Sequence, residues 1–207
     1  MPVVNEKNEL IGRITIDDVV DFIKEEAEKD YQMASGISDN IEPLDNIYTL
    51  TKARIPWLLI GMIGGLLGAQ IIGLFNIEDN PVLAFFIPLI AAMGGNVGVQ
   101  SSAIIVQALA SKNMGLDNWS KRFIKEFSVA LINGLICCFI LFFVCLLLYP
   151  EPQLPITVSL SLLTVMVFAA LFGTFIPLIL NSYKIDPALA TGPFITTMND
   201  VIGLFIY

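Results

Sequence analysis

Five apolar segments, each about as long as a bilayer is thick, constrain this chain more than any other feature. A helix needs about 20 mostly apolar residues to cross a hydrocarbon core of about 30 Å. The segments occupy residues 55–74, 82–110, 127–149, 156–180 and 187–207. A hydrophobic fraction of 56 % and a mean hydropathy of +0.76 are too high for a soluble globular domain. We therefore predict an all-α integral membrane protein with five transmembrane helices per chain.

The basic residues all fall on one side of this five-span arrangement. They lie before span one, between spans two and three, and at Lys184 between spans four and five, whereas the alternate connections carry no Lys or Arg. Basic residues mark the cytosolic side. We predict a multi-pass protein of the cell membrane with a cytosolic N-terminus and an external C-terminus. On the cytosolic side, Lys125 and Glu126 are interpreted as a snorkelling pair at the interface.

The first 54 residues form a polar and acidic head, with twelve acidic and six basic side chains. Residues 1–30 show the pattern strand, turn, strand, helix, in which residues 10–16 are the second strand and Asp17 can cap the helix. This piece is too small to bury a core alone and needs the rest of a domain or a partner. Residues 31–54 are interpreted as an acidic linker and a connecting helix, and residues 55–207 as the membrane domain.

Both ends of the chain are abrupt. The first 50 residues contain no apolar segment typical of a secretory signal peptide. Met1 leads directly into a short apolar strand, and Tyr207 closes the last span without a polar flank. We interpret both termini as truncation points of a longer polypeptide.

The chain contains no histidine, and its three cysteines all lie in span three. This excludes His-based acid–base catalysis and the commonest ligand of zinc, copper or nickel. The cysteines are interpreted as small hydrophobic residues. A metal handled here is therefore expected to be a hard ion with oxygen ligands. No enzymatic activity is predicted, because an intramembrane aspartyl protease would need a second acid at membrane depth.

Asp200 is the strongest candidate for a functional residue. It lies in the last apolar segment and is the only ionisable side chain there apart from tyrosine. A carboxylate at membrane depth costs a few kcal/mol even on lenient scales, so it is a functional candidate by default. Thr196 and Thr197 precede it by four and three residues and share its helix face. This pattern favours a cation or proton site, with an interhelical hydrogen bond as the alternative.

Span two carries the run MGGNVGVQSS, in which Asn96 and Gln100 lie one helical turn apart. Glycines near mid-membrane weaken a helix and are tolerated where the backbone lines a cavity. Pro88 is expected to kink the span. Amide groups and freed carbonyls suit contact with the water shell of an ion. Amide hydrogen bonds between helices are the alternative interpretation.

Three motifs in this chain resemble the MgtE family of magnesium channels. They are GGNxGxQ in span two, DPAL at the start of span five, and TGPFITTxxD ending at Asp200. The order of segments is also similar, since residues 10–19 resemble the end of a CBS domain and precede an acidic helix, a connecting helix and five spans. The resemblance covers essentially the whole chain.

The resemblance implies a homodimer whose pore runs along the two-fold axis between spans two and five. Residues 55–207 would then be the pore domain, and residues 1–30 a short cytosolic α/β remnant of a CBS domain. Mg²⁺ would be both the permeating ion and the regulatory ligand, with Asp200 as the pore aspartate. The expected partners are membrane lipid, a second copy of the chain and divalent cations, and no nucleic acid.

The resemblance also implies a regulatory magnesium site on the cytosolic side. Glu26, Asp30 and Asp186 are similar in placement to acids that bind cytosolic magnesium in the family. Lys29 stands between the first two, where an acid would be expected. Because only the end of the CBS region is present, the resemblance supports a pore more strongly than its regulation.

Two other functions stay open at this point. In a proton-coupled divalent-cation exporter, Asp200 would be the titrating group, and transport would depend on pH. In a non-transporting membrane anchor for a CBS regulatory module, the chain would only hold its head at the membrane. The anchor leaves Asp200 and the GGNxGxQ run unexplained.

Overall fold

A computed structural model describes residues 1–38, 40–75, 81–110, 119–149, 151 and 153–207. The connections at 76–80 and 111–118, which contributed to the charge count, lie outside these residues. Within the described residues, a small antiparallel hairpin precedes a series of helices. The elements are β1 (Pro2–Val4), β2 (Leu10–Arg13), α1 (Ile16–Ala34), α2 (Ile47–Leu74), α3 (Pro81–Ala84), α4 (Ile87–Ala110), α5 (Trp119–Leu148), α6 (Gln153–Ser182), a 3₁₀ turn (Pro187–Ala190) and α7 (Pro193–Ile206).

The helical membrane class is confirmed, whereas the count of five spans is not. In the described part of the chain, α2, α3 with α4, α5 and α6 give four segments long and apolar enough to cross a membrane. The last apolar segment is not one helix, because Gly192 has a positive φ of 59° and Pro193 starts a new helix. The resulting α7 has 14 residues, about 21 Å at 1.5 Å per residue.

The N-terminal head differs from the sequence prediction in two details. β2 ends at Arg13, and Thr15 rather than Asp17 caps α1. The Thr15 hydroxyl accepts the Asp18 N–H at 3.2 Å, and the Asp18 carboxylate accepts the Thr15 N–H at 2.7 Å. This reciprocal pair satisfies two amides at the helix start, which one aspartate in the first turn cannot do.

The helix boundaries also cross the expected division of the chain. α1 continues to Ala34, past the expected start of the linker at residue 31. α2 is one continuous helix that contains both the connecting helix and span one. The membrane boundary therefore falls inside a helix rather than at a break in the chain.

The glycine-rich run of span two is a regular helix in the structure. α4 continues from Ile87 to Ala110, and Pro88 lies in its first turn. Proline is tolerated there because the first amides of a helix have no partner within the helix. Span two is nevertheless interrupted just before Pro88, at Phe85 and Phe86, between α3 and α4. The expected freed carbonyls are absent from the glycine run, whose glycines serve helix contact instead.

α6 is the central helix of the membrane part. Half of its most apolar window is buried, against 11 % for α2 and α5. α4 and α5 both pack along α6, and α7 packs against α4 and α2. α2 and α5 are therefore the peripheral helices, and their large apolar side chains face outward, as expected for contact with lipid.

Three helices meet where their side chains are smallest. A Cβ on Gly173 of α6 would collide with the carbonyl of Gly98 in α4. A Cβ on Gly98 would in turn collide with the side-chain amide of Asn199 in α7. Glycine at both positions permits the close approach of the α4 and α6 backbones and leaves room for the Asn199 side chain against α4. We name Gly98, Gly173 and Asn199 the helix crossing.

The head is attached to the membrane part at the start of α7. A Cβ on Gly192 would collide with the carbonyl of Ala34, the last residue of α1. Ser38 donates its N–H to the carbonyl of Ala53 in α2 at 2.9 Å. The Gln32 amide also bonds both backbone groups of Ile41, at 2.8 and 3.0 Å. These contacts connect the end of α1 with both α2 and α7.

We predict that Gly173→Ala destabilises the protein, because its new methyl group meets backbone that cannot rotate away. Overpacking of this kind typically costs about 1–3 kcal/mol. Gly73→Ala in α2 is the matched control, since nothing lies within 4 Å of its Cβ position. Thermal unfolding of both variants in the same detergent measures the difference, and equal melting temperatures would contradict the helix crossing.

Candidate functional site

Asp200 lies in the middle of α7, where it lines a cleft between α2 and α7. The cleft has a volume of about 300 Å³. Its α2 wall consists largely of glycine, and a Cβ on Gly95 of α4 would lie 3.5 Å from Asp200 Oδ1. The lining residues are Gly61, Gly64, Gly65, Gly68, Ala69, Ile72, Ala91, Thr197, Asp200, Val201 and Leu204. We name this the Asp200 cleft.

The Asp200 carboxylate is partly buried and has no hydrogen-bond or ion-pair partner among the described residues. A buried carboxylate is normally paired, protonated or bound to a cation. Because the Asp200 cleft gives access to it, its charge is available to a mobile cation. The alternative of an interhelical hydrogen bond is not found in the described part of the chain.

Thr196 and Thr197 have different surroundings although they are neighbours. The Thr196 hydroxyl donates back to the helix carbonyls of Gly192 and Pro193, at 3.2 and 3.1 Å. Thr197 lines the Asp200 cleft and presses its methyl group against Gly64 of α2. Of the two threonines, only Thr197 therefore shares the cleft with the carboxylate.

Asn96 and Gln100 lie on a different face of α4 from the one that meets Asp200. Both are exposed and line a second cleft, between α4 and α5. Gly95, one residue before Asn96, faces Asp200. In one chain, the structure therefore brings Asp200 and Thr197 together but leaves the two amides outside the Asp200 cleft.

The three acids proposed for the cytosolic side lie near one another at the base of α7. α1 packs against the 3₁₀ turn that Asp186 caps, with the Asp186 carboxylate accepting the Ala188 N–H at 2.9 Å. Burial, together with the negative charges of Asp186 and Glu26, raises the pKa of Asp30 above its usual value. Glu26 lies 3.8 Å from Lys29, which offsets part of this repulsion. The three carboxylates therefore form one repulsive cluster.

This cluster is not a closed metal site in the present arrangement. In the residues that the structure describes, no three His, Cys, Asp or Glu side chains converge as metal ligands would. The Asp200 cleft likewise offers one carboxylate per chain. A divalent ion at either place would therefore need water or a second chain to complete its ligands.

The sequence analysis did not single out Asn199 and gave Glu126 the wrong partner. Asn199 is 1 % exposed, and neither atom of its side-chain amide has a described partner. Its place in an apolar segment beside an acid was the available signal. Glu126 was assigned to an interface pair with Lys125, which is wrong. Glu126 is buried and accepts a hydrogen bond from the Ser101 hydroxyl at 3.4 Å.

Comparison with known proteins places this arrangement in a family. The family model named MgtE and described as a divalent cation transporter matches residues 87–207, which contain α4 to α7. The chain belongs to the MgtE family. The family assignment from the sequence motifs is thereby confirmed, and Asp200 lies within the matched region.

Three curated relatives match over the full length of the chain. Proteins named magnesium transporter MgtE from Bacillus subtilis, Thermus thermophilus and Enterococcus faecalis are 34, 35 and 31 % identical to it. The match covers 46, 47 and 46 % of those proteins. The chain thus spans about half the length of the curated relatives it matches.

We predict that docking of α1 onto the 3₁₀ turn weakens as pH rises. The raised pKa of Asp30 means that its proton is bound more tightly in the docked state. The protonated form therefore favours docking, and this contribution is lost as pH rises through the raised pKa. Hydrogen exchange of residues 16–34, followed from about pH 4 to about pH 7, measures the loss of protection.

Asp30→Asn should make this protection less dependent on pH, because the amide carries no charge at any pH. Asp21→Asn, two and a half turns earlier on α1 and not among the charges that act on Asp30, is the matched control and should behave as the wild type. An unchanged pH profile in Asp30→Asn would show that Asp30 does not control the docking.

Proposed function

We propose that the chain forms the pore part of a magnesium channel that moves hydrated Mg²⁺ across the cell membrane. The observation that carries the proposal is the Asp200 carboxylate, which has no partner among the described residues and lies in a glycine-walled cleft inside an apolar helix bundle. The names of the relatives, which are magnesium transporters, support Mg²⁺ as the ion.

The chemistry of the cleft suits an ion that keeps its water. Mg²⁺ dehydrates reluctantly and is usually held through one or two carboxylates with several waters retained. The glycine wall leaves room beside Asp200, since nothing lies within 4 Å of a Cβ on Gly61 or Gly65. Two Asp200 carboxylates from two chains would neutralise one divalent ion.

A homodimer supplies the second carboxylate and closes the path. One chain offers a single acid and cannot enclose a polar channel by itself. In the proposed dimer, α4 and α7 of both copies face the two-fold axis. The exposed amides of Asn96 and Gln100 lie outside this path, because they line the cleft on the far side of α4 from Gly95. In this arrangement α7 and its 3₁₀ turn form the fifth span, with the N-terminus in the cytosol and the C-terminus outside.

Cytosolic Mg²⁺ gates the proposed channel through the acidic cluster. Residues 1–30 would be the remnant of a CBS domain, residues 31–54 the linker and connecting helix, and residues 55–207 the pore domain. A divalent ion bridging Glu26, Asp30 and Asp186 would relieve the repulsion that raises the pKa of Asp30. The bridge would hold α1 against the start of α7, where Ala34 already contacts Gly192. A ligand that binds one state better shifts the channel toward that state.

We predict that Asp200→Asn lowers Mg²⁺ flux into liposomes at least tenfold. The amide keeps the side-chain volume and removes the charge that balances the ion, so folding should be preserved. Asp21→Asn is the control, because Asp21 is exposed on α1 and far along the chain from the cleft. Flux is measured with an internal Mg²⁺ indicator, and a wild-type rate for Asp200→Asn would refute the pore assignment.

The same assay separates the proposal from its alternatives. If the pore lies at a dimer axis, mixing wild type and Asp200→Asn chains before reconstitution should lower flux more than in proportion to the mutant share. A proton-coupled exporter would show divalent flux driven by a pH gradient. A membrane anchor would show no Mg²⁺ flux in the wild type.

We predict that Glu26→Gln with Asp30→Asn raises the internal Mg²⁺ concentration that half-inhibits flux, because the double variant removes two of the three carboxylates that a bridging ion would contact. Flux recorded at stepped internal Mg²⁺ gives this concentration for the variant and for the wild type. Asp21→Asn, which lies outside the acidic cluster, is the matched control and should close as the wild type does. Equal half-inhibiting concentrations in all three proteins would contradict gating through the acidic cluster.

A further inference from the structure

The second cleft, between α4 and α5, plays no part in the proposed pore. Both helices pack along α6 much more closely than on each other, which leaves a space of about 520 Å³ between them. On α4, its lining residues lie about half a turn around the helix from Gly95, which faces Asp200. We name this space the α4–α5 cleft.

The charged residues of the α4–α5 cleft are concentrated at one end. Arg122 and Lys125 lie in the first two turns of α5, near the end of the bundle where α4 finishes. Neither cation forms an ion pair with a carboxylate in the described part of the chain. Glu126 lies beside them, but it is buried and already accepts the Ser101 hydroxyl. The charged end of the cleft is therefore net positive by one.

The rest of the cleft is mostly apolar, although Asn96 of α4 and Asn133 of α5 also line it. Its deeper walls are formed by Met93 and Val97 of α4, Ile136 of α5 and Met166 of α6. An apolar cavity of this kind inside a membrane bundle suits a hydrocarbon chain. Gln100 stands between the charged end and the apolar walls and offers an amide donor.

We propose that the α4–α5 cleft binds one anionic phospholipid. Its phosphate lies between Arg122 and Lys125, and one acyl chain runs along the apolar walls toward Met93. The Gln100 amide lies between the phosphate site and the apolar walls, where it can donate a hydrogen bond to an ester carbonyl of the lipid. Basic pockets between transmembrane helices are typical sites for anionic headgroups, and each basic residue adds to the affinity.

Charge and shape together favour a lipid over a hydrated cation as the occupant. A divalent ion bound to Glu126 would have to lie close to two unpaired cations, which repel it. It would also leave the apolar walls without a partner. An anionic phospholipid matches both the positive end and the apolar depth.

The test compares phosphatidylglycerol with phosphatidylcholine of identical acyl chains. Native mass spectrometry of the purified full chain counts each lipid retained after delipidation and titration. We expect phosphatidylglycerol to be retained about tenfold more tightly. Arg122→Gln with Lys125→Gln should abolish this preference. Lys52→Gln with Lys121→Gln is the matched control, because it changes the net charge equally outside the cleft, and it should keep the preference.

Glu126→Gln distinguishes the two occupants by the direction of its effect. For an anionic lipid, removing this negative charge should leave phosphatidylglycerol binding unchanged or make it tighter. For a divalent cation, Glu126→Gln should abolish Mn²⁺ binding followed by electron paramagnetic resonance, and the Arg122/Lys125 double variant should strengthen it. The proposal would be overturned by the Mn²⁺ pattern. It would also be overturned if the Arg122/Lys125 double variant still preferred phosphatidylglycerol. Melting temperatures in phosphatidylcholine confirm that each variant is folded.

Discussion

The close approach of the α4 and α6 backbones at the helix crossing, with the Asn199 side chain of α7 against the same glycine, is the constraint on which the rest of the structure depends. Inside a bilayer, lipid tails are as apolar as leucine, so helices gain little from burying apolar side chains against one another. They are held by dispersion contacts and hydrogen bonds, which require short distances. Gly98 and Gly173 permit those distances between α4 and α6, and Gly98 also admits Asn199 of α7 beside α4. Gly95 of α4 thereby lies opposite Asp200, where an added Cβ would be 3.5 Å from Oδ1.

α4 separates the Asp200 carboxylate on one of its sides from the α4–α5 cleft on the other. Its glycines face α6 and α7, while its amides face the space beside α5. The two sets alternate within the seven residues from Gly94 to Gln100, because neighbouring residues on a helix point about 100° apart. The GGNxGxQ motif therefore combines a packing surface with a polar surface. A substitution at one of these glycines would change the distance between α4 and its neighbours α6 and α7. A substitution at Asn96 or Gln100 would change the lining of the α4–α5 cleft.

Much of the fold could be predicted from the sequence because the membrane imposes length and polarity directly. Four apolar segments became helices of the expected class, and an isolated acid in an apolar segment identified Asp200. The break at Gly192 was missed, because the span was assigned by hydropathy, which takes no account of the turn signal in the Gly192-Pro193 dipeptide.

The sequence could not show which helices the faces of α4 meet, nor which residue bonds Glu126. Spacing along one helix shows which residues share a face, but not which neighbouring helix that face meets. Asn96 and Asp200 were therefore expected together although α4 turns them apart. Glu126 was paired with its sequence neighbour Lys125, whereas its partner lies on another helix.

The continuity of α2 has a mechanical consequence. Because α2 is one helix, a tilt of its polar first turns is transmitted to its apolar part. Pro56 is the natural point of bending, since one backbone hydrogen bond is missing there. On the N-terminal side of Pro56, the Ser38 N–H holds α2 through the carbonyl of Ala53. A tilt of about 5° about Pro56 would displace Gly64, about 12 Å along the helix, by about 1 Å. Small movements of the head would thus change the width of the Asp200 cleft beside the carboxylate.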